Sequence, residues 1–117
     1  MTVRLVVYGL LRRGGSLAHL MDGAEFLGDV VVPGYELFDL GHYPGACPGD
    51  GRVVGELYEL PSPAVLDVLD ETEGVHQNPP LYRRELIDAQ GIPAWFYVYA
   101  RHVAPDKRID SGDWLDR

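Results

Sequence analysis

At 117 residues, with 46% hydrophobic and 24% charged residues, the chain has the composition of one ordinary globular domain spanning 1–117. Its formal net charge of −8 argues against a nucleic-acid or anionic-membrane surface, because both require clustered Lys and Arg. Cys47 is the single cysteine and has no internal disulfide partner; with no signal peptide or long apolar span in view, the expectation is a soluble cytoplasmic protein.

The 14 Gly and 9 Pro require many turns, hence short strands rather than a helical bundle. The first strand is read at Leu5–Val7, a buried β-branched run that breaks at Tyr8-Gly9, where glycine turns freely. Ser16–Met21 reads as a short helix with Ser16 as N-cap, so the loop before it presents unpaired N–H groups to an anion. Glu25–Val32 alternates as a strand, Pro33-Gly34 reads as a turn, and Tyr35–Leu40 as its hairpin partner. Gly41–Gly51 then shows no periodicity, and a loop of that length is expected to have a function.

Val53–Glu59 reads as a strand whose Gly55 marks close approach of another backbone or a ligand. The next segment is the clearest helix, with Ser62 as N-cap, Pro63 at the first helical position and Gly74 as a left-handed terminator. At about 100° per residue, Val65, Leu66 and Leu69 form one stripe, Glu73 falls on it, Asp70 lies at its edge, and Asp67 and Glu71 point away. Val75–Leu81 reads as a loop and Tyr82–Asp88 as a strand, turned by Ala89-Gln90-Gly91. Pro93–Ala100 is apolar on both faces and should be a central strand. In the tail, Ser111-Gly112-Asp113-Trp114 reads as a turn that anchors a Trp against the core. No repeat, low-complexity segment or linker divides the chain.

Of the acidic residues, Glu73 has the most chemical interest, because a carboxylate turned inward at a helix C-terminus is disfavoured as an anion and its pKa should rise. Such a group suits general acid and base work near neutral pH. The other reading open at this point is a buried Glu paired with an arginine such as Arg84. Gly9–Ser16 nearly matches a phosphate-binding P-loop, but glycine stands where the lysine is required. His19, His42, His76 and His102 have no pair at metal-ligand spacing, so no metal site is expected, and Cys47 beside Pro48 reads as inert. Arg12-Arg13 reads as a solvated pair, either member of which can neutralise a bound carboxylate.

With these residues in place, the chain resembles the γ-glutamylcyclotransferase-like (AIG2-like) family over nearly its whole length. The resemblance runs through Val7-Tyr8-Gly9-Leu10-Leu11-Arg12, Gly41-His42-Tyr43-Pro44-Gly45, Gly55-Glu56-Leu57-Tyr58, Leu69-Asp70 with Glu73-Gly74, Tyr82 with Arg84, and Ser111–Trp114. It implies an α+β fold, a small mixed β-barrel with short flanking helices, and a loop at Tyr8, Gly9, Leu10 and Leu11 that grips the substrate. It also implies Glu73 as the catalytic acid/base, Arg12, Tyr82 and Arg84 as substrate-pocket residues, and no cofactor. The implied reaction is release of 5-oxoproline and a free amine from a small γ-glutamyl substrate. The competing expectation is a non-catalytic module that binds a glutamyl-like small molecule or peptide end. The family usually has a small hydroxyl residue after Tyr-Gly, where this chain has Leu10, so a side-chain hydrogen bond is lost while the backbone donor remains. The sequence pattern marks no oligomer interface.

Overall fold

The computed structural model describes residues 2–117. Six strands form one mixed, curled sheet, a half-barrel, in the order β4-β5-β1-β3-β2-β6. The strands are β1 (Val3–Val7), β2 (Glu25–Asp39), β3 (Pro44–Leu60), β4 (Tyr82–Ala89), β5 (Ile92–Tyr99) and β6 (Arg108–Ile109), with one α-helix, α1 (Pro63–Thr72). β1 pairs antiparallel with β3 and parallel with β5; the other pairings are antiparallel. The adjacent interior strands β1 and β5 are apolar on both sides, and this is why the sheet carries a core on each face. Val6, Phe96 and Val98 pack inside the curl with Leu37, Val53 and Trp114. Leu5, Val7, Tyr82 and Tyr97 pack on the other face against Leu66 and Leu69 of α1.

The central position of β5 and the burial of Trp114 agree with the sequence reading. The segment 25–51 differs from it. Pro33-Gly34 is not a hairpin turn; β2 continues through it by a register shift, with Gly34 at φ +86°. The segment read as an eleven-residue loop is mostly strand, since β3 begins at Pro44 and pairs with β2 from Asp39↔Pro44 to Tyr35↔Pro48. Only residues 41–43 remain as a turn. Glycines hide the alternation because neighbours occupy the space a side chain would need: a Cβ on Gly45 would lie 2.8 Å from Tyr99, and one on Gly49 would overlap Glu36. Prolines are tolerated because β1 pairs only with Glu56–Leu60 of β3, which leaves the outer half bonded to β2 alone. Gly55 does mark a close approach, since its Cβ would meet Val6 and the Val7 carbonyl at 2.8 Å.

Helix α1 begins at Pro63 as expected, although the Ser62 side chain makes no capping bond. Its end places the site. Gly74 at φ +69° lets the Val75 N–H reach the Asp70 carbonyl at 3.0 Å and the Gly74 N–H reach that of Glu71 at 3.2 Å, a Schellman closure. The last turn therefore stops with Glu73 as C-cap, directed to the sheet. The short helix expected at Ser16–Met21 is one turn of 3₁₀ helix, Ala18–Met21, with Leu17 rather than Ser16 at its cap and no side-chain cap bond. No helix is long and apolar enough to cross a membrane among the described residues.

Candidate active site

A pocket of about 620 Å³, partly open to solvent, lies where β1 ends, next to the C-cap of α1. One wall is the loop Tyr8, Gly9, Leu10 and Leu11; another is Thr72 and Glu73; Tyr43, Pro44, Tyr82 and Tyr97 close the remainder. Segments more than sixty residues apart in sequence thus meet at one cavity.

The loop is folded by its own backbone. The Arg12 N–H donates to the Gly9 carbonyl at 3.1 Å and the Leu17 N–H to that of Leu10 at 3.0 Å. By contrast, the amides of Gly9, Leu10 and Leu11 donate to no group among the described residues. Three consecutive pocket-lining residues therefore have free N–H groups among the described residues, which makes the loop, rather than the short helix after it, the candidate anion-binding element. The glycine at position 9 is needed for space and not for a turn: its Cβ would lie 2.7 Å from the Pro44 ring.

Glu73 is part-buried, and its carboxylate has no hydrogen bond or ion pair among the described residues. Burial alone pushes its pKa from the ordinary 4.5 up to about 7. Arg84 is not its partner. The Arg84 guanidinium lies 3.4 Å from Asp70 and 4.5 Å over the Trp95 ring, outside the pocket lining. Asp70, buried one turn before Glu73, also accepts the Tyr97 hydroxyl at 2.8 Å. The arginine-paired carboxylate of this helix is therefore Asp70.

Three of the four pocket tyrosines, Tyr8, Tyr82 and Tyr97, have hydroxyls already engaged. Tyr8 donates to the Tyr97 carbonyl at 2.7 Å and accepts the Ala46 N–H at 3.1 Å; Tyr82 donates to the Pro44 carbonyl at 2.5 Å. Burial, then the nearby Glu73 charge, raises the Tyr8 phenol well above its ordinary value, so it remains a neutral donor. Tyr82 is raised likewise, by burial and then by Tyr8 and Glu73.

Arg12 departs most from the sequence reading. It is neither solvated nor part of the pocket lining: it is 6% exposed, and its Nε donates to Glu56 at 3.0 Å while Nη1 donates to Asp113 at 2.8 Å. Two acidic groups, one from β3 and one from the tail, engage Nε and Nη1 and neutralise the guanidinium, which lies outside the pocket lining. Glu56, which sequence reasoning did not single out as functional, also accepts the Arg13 N–H at 3.0 Å and the Tyr58 hydroxyl at 2.8 Å. Burial pushes the Glu56 carboxyl up, but these three donors together pull it below the usual range. Tyr97, Tyr43 and Pro44 were also missed as pocket residues; alternation along the strand gave Tyr97 a face but not a cavity.

No three His, Cys, Asp or Glu side chains are placed to hold a metal ion among the described residues. Apart from Glu73, the pocket lining carries no charged side chain. The arrangement offers one proton-exchanging carboxyl and a row of neutral donors, a combination suited to acyl chemistry.

Comparisons with known proteins agree with the fold described above. A family model described as gamma-glutamyl cyclotransferase, AIG2-like, matches residues 5–116. The gamma-glutamylcyclotransferase family protein YtfP of Escherichia coli K12 is 44% identical over 115 residues, covering 98% of each chain. Among solved structures, one from Pyrococcus horikoshii is similar at TM-score 0.83 and 31% identity, covering 96% of this chain and 89% of its own. An AIG2-like protein from Mus musculus superimposes at TM-score 0.74 with 26% identity, over 91% and 82% of the two chains.

Proposed function

The chain belongs to the gamma-glutamyl cyclotransferase, AIG2-like family, and on that premise we propose that it is an enzyme that cyclises γ-glutamyl amines, with Glu73 as general base and then general acid. The observation that carries this is an unpartnered carboxyl, raised to about 7 by burial, in the same pocket as three free loop amides.

In this reaction the ionised Glu73 takes a proton from the α-ammonium of the bound glutamyl group. The freed amine attacks the γ-carbonyl carbon, forming the ring C–N bond and placing negative charge on the carbonyl oxygen. Glu73 returns its proton to the departing nitrogen as the original C–N bond breaks, and the second proton of the ring nitrogen passes to the released amine, so 5-oxoproline and an ammonium product leave with atoms and charge balanced. A group with pKa near 7 exchanges protons in both directions at neutral pH. The amides of Gly9, Leu10 and Leu11 are the donors for the oxyanion or the substrate α-carboxylate; such preorganised donors contribute roughly 2.7 to 4 kcal/mol each where measured. Holding a flexible glutamyl chain in a ring-closing pose supplies a further entropic gain. Leu10 in place of a hydroxyl residue removes a side-chain donor from this set but leaves its amide.

The test is a panel of γ-glutamyl amines with 5-oxoproline as readout, run on wild type and Glu73→Gln. The expected result is turnover of at least one substrate, with kcat/KM rising as pH passes upward through about 7, because the base must be ionised. Glu73→Gln should reduce kcat by about 100- to 10,000-fold. Product release at the wild-type rate by that variant overturns the assignment. Saturable binding without product, across the whole panel, would instead favour a binding module for a glutamyl-like ligand.

A further inference from the structure

The polar cluster beneath the loop lies outside the pocket lining, and its geometry is more complete than anything in the pocket. One carboxylate, that of Glu56, is 2% exposed and accepts from the backbone of Arg13, the guanidinium of Arg12 and the hydroxyl of Tyr58. From the other side Asp113 accepts Arg12 Nη1 and also caps the 3₁₀ turn Trp114–Asp116 through the Leu115 N–H at 2.9 Å. The tail that supplies Asp113 is itself fixed: the Val54 N–H donates to the Gly112 carbonyl at 2.8 Å, and Gly112 at φ +71° lies so close to the Arg52 carbonyl that no side chain fits there. Arg12 is thus a strut held at both ends, by β3 and by the C-terminal turn. Arg12 and Arg13 immediately follow the three free amides, and the Arg12 N–H closes the turn back to Gly9. The three amides on the pocket side of this loop are unbonded among the described residues, so besides the Leu10 carbonyl bond to Leu17 and the buried Leu11, the loop is anchored from below.

We infer that Glu56 is a positioning residue for the reaction, fixing the Gly9–Leu11 amides through Arg12 and Arg13, with Asp113 as the second anchor of the same strut. This rests on the proposed cyclotransferase reading for its catalytic consequence, but not for its structural one. It gives a shared purpose to two sequence segments the pocket does not use, Gly55–Tyr58 and Ser111–Trp114. It also explains why a buried charge network sits under a loop whose own wall is apolar: the donors must stay aimed without any ligand to order them.

The test pairs Glu56→Gln with Asp113→Asn. In Glu56→Gln a side-chain amide presents a donor where the carboxylate accepted, so one of the three bonds is lost and the guanidinium loses the more buried of its two counter-charges. Asp113→Asn loosens only the outer end of the strut and provides the readout if the first variant does not fold. Two measurements are made on each. Backbone ¹⁵N relaxation reports loop order: residues 9–13 in wild type should show order parameters near ~0.85, falling toward ~0.6 in Glu56→Gln and by less in Asp113→Asn. Steady-state kinetics should show kcat/KM lower by about 10- to 100-fold in Glu56→Gln, the scale expected when donors are misplaced by about an ångström. The loss should persist well below the melting temperature, where a purely stabilising residue would leave kinetics unchanged. Unchanged order parameters in both variants, or a loosened loop with wild-type kcat/KM, overturns the inference. If the wild-type protein turns over nothing in the panel, the proposed activity fails, while the relaxation data still decide whether Glu56 holds the loop.

Discussion

The pocket and the strut beneath its loop each contain a glutamate withdrawn from water, and the two solve the same electrostatic problem in opposite ways. Glu56 is surrounded by donors, a guanidinium, an amide and a phenol, and its carboxyl is held below the usual range despite its burial. Glu73 has no partner among the described residues, and burial alone pushes it up to about 7. A satisfied buried charge fixes geometry because every displacement breaks a bond. An unsatisfied one exchanges protons because neither of its states is strongly preferred near neutral pH. The contrast separates a carboxylate that holds geometry from the one proposed to react, and substitution tests it.

The largest effect is expected at Arg12. Arg12→Ala leaves the buried Glu56 with the Arg13 amide, Tyr58 and the exposed Arg13 guanidinium at 3.6 Å for partners, and leaves Asp113 without its cation. Breaking a buried pair in this way should destabilise the fold by about 4 kcal/mol at pH 7, measured by urea unfolding. The penalty should shrink in acid. The folded-state pKa of Glu56 lies below its ordinary value, so its contribution is present above that ordinary value and is lost as pH falls through the depressed one. A loss under ~1 kcal/mol would mean that Arg12 is a surface residue and that the contrast fails.

Glu73 should behave in the reverse sense. Its folded-state pKa of about 7 lies above the ordinary 4.5, so the stability it contributes is fully present below 4.5 and is lost as pH rises through 7. Glu73→Gln keeps the volume and removes the ionisation. It should therefore match wild type near pH 4 and exceed it by about 3 kcal/mol at pH 8, as read from denaturant midpoints. Gaining stability while losing turnover is the signature of a group kept for reaction at the expense of the fold. A Glu73→Gln variant no more stable than wild type at pH 8 would indicate a partner for Glu73 that the structure does not contain.

The sequence showed the unpartnered carboxylate of this contrast more readily than the paired one. Glu73 was legible because helix periodicity assigns a direction to a side chain, and the Pro63 start and Gly74 stop fix the phase of α1. The central β5 was legible from its two apolar faces. Arg12 was misread because an Arg-Arg pair in a glycine-rich loop is locally indistinguishable from a solvated one. Its partners lie 44 and 101 residues away, a distance over which no local pattern operates. The same limit concealed Asp70 as the partner of Arg84, since periodicity put Asp70 only at the stripe's edge. The long strands around Pro33-Gly34 and Gly41–Gly51 were illegible for a steric reason: at Gly45 and Gly49 a neighbouring residue occupies the volume of the missing side chain, and alternation has nothing to display. Glycine there signals contact, whereas the sequence alone reads it as a turn.

The smallest expected effect concerns Tyr97, which stands between the two kinds of carboxylate. Its ring lines the pocket with Glu73, but its hydroxyl donates to Asp70 at 2.8 Å, and Arg84 lies 3.4 Å from the other Asp70 oxygen. If Asp70 belongs with Glu56 as a holding group, Tyr97→Phe removes one donor from a carboxylate that retains its cation, and stability should fall by about 1 kcal/mol. The ring and its packing against β1 and α1 survive, so Glu73 keeps its environment and kcat should stay within about threefold of wild type. If Asp70 is instead coupled to the proton equilibrium of Glu73 one turn later, removing the phenol alters the charge facing Glu73. The ascending limb of kcat/KM should then shift away from pH 7 together with a loss of more than about tenfold in kcat. Thermal melts and pH profiles of this one variant thus decide whether the helix carries one reacting carboxylate and one structural one, or a coupled pair.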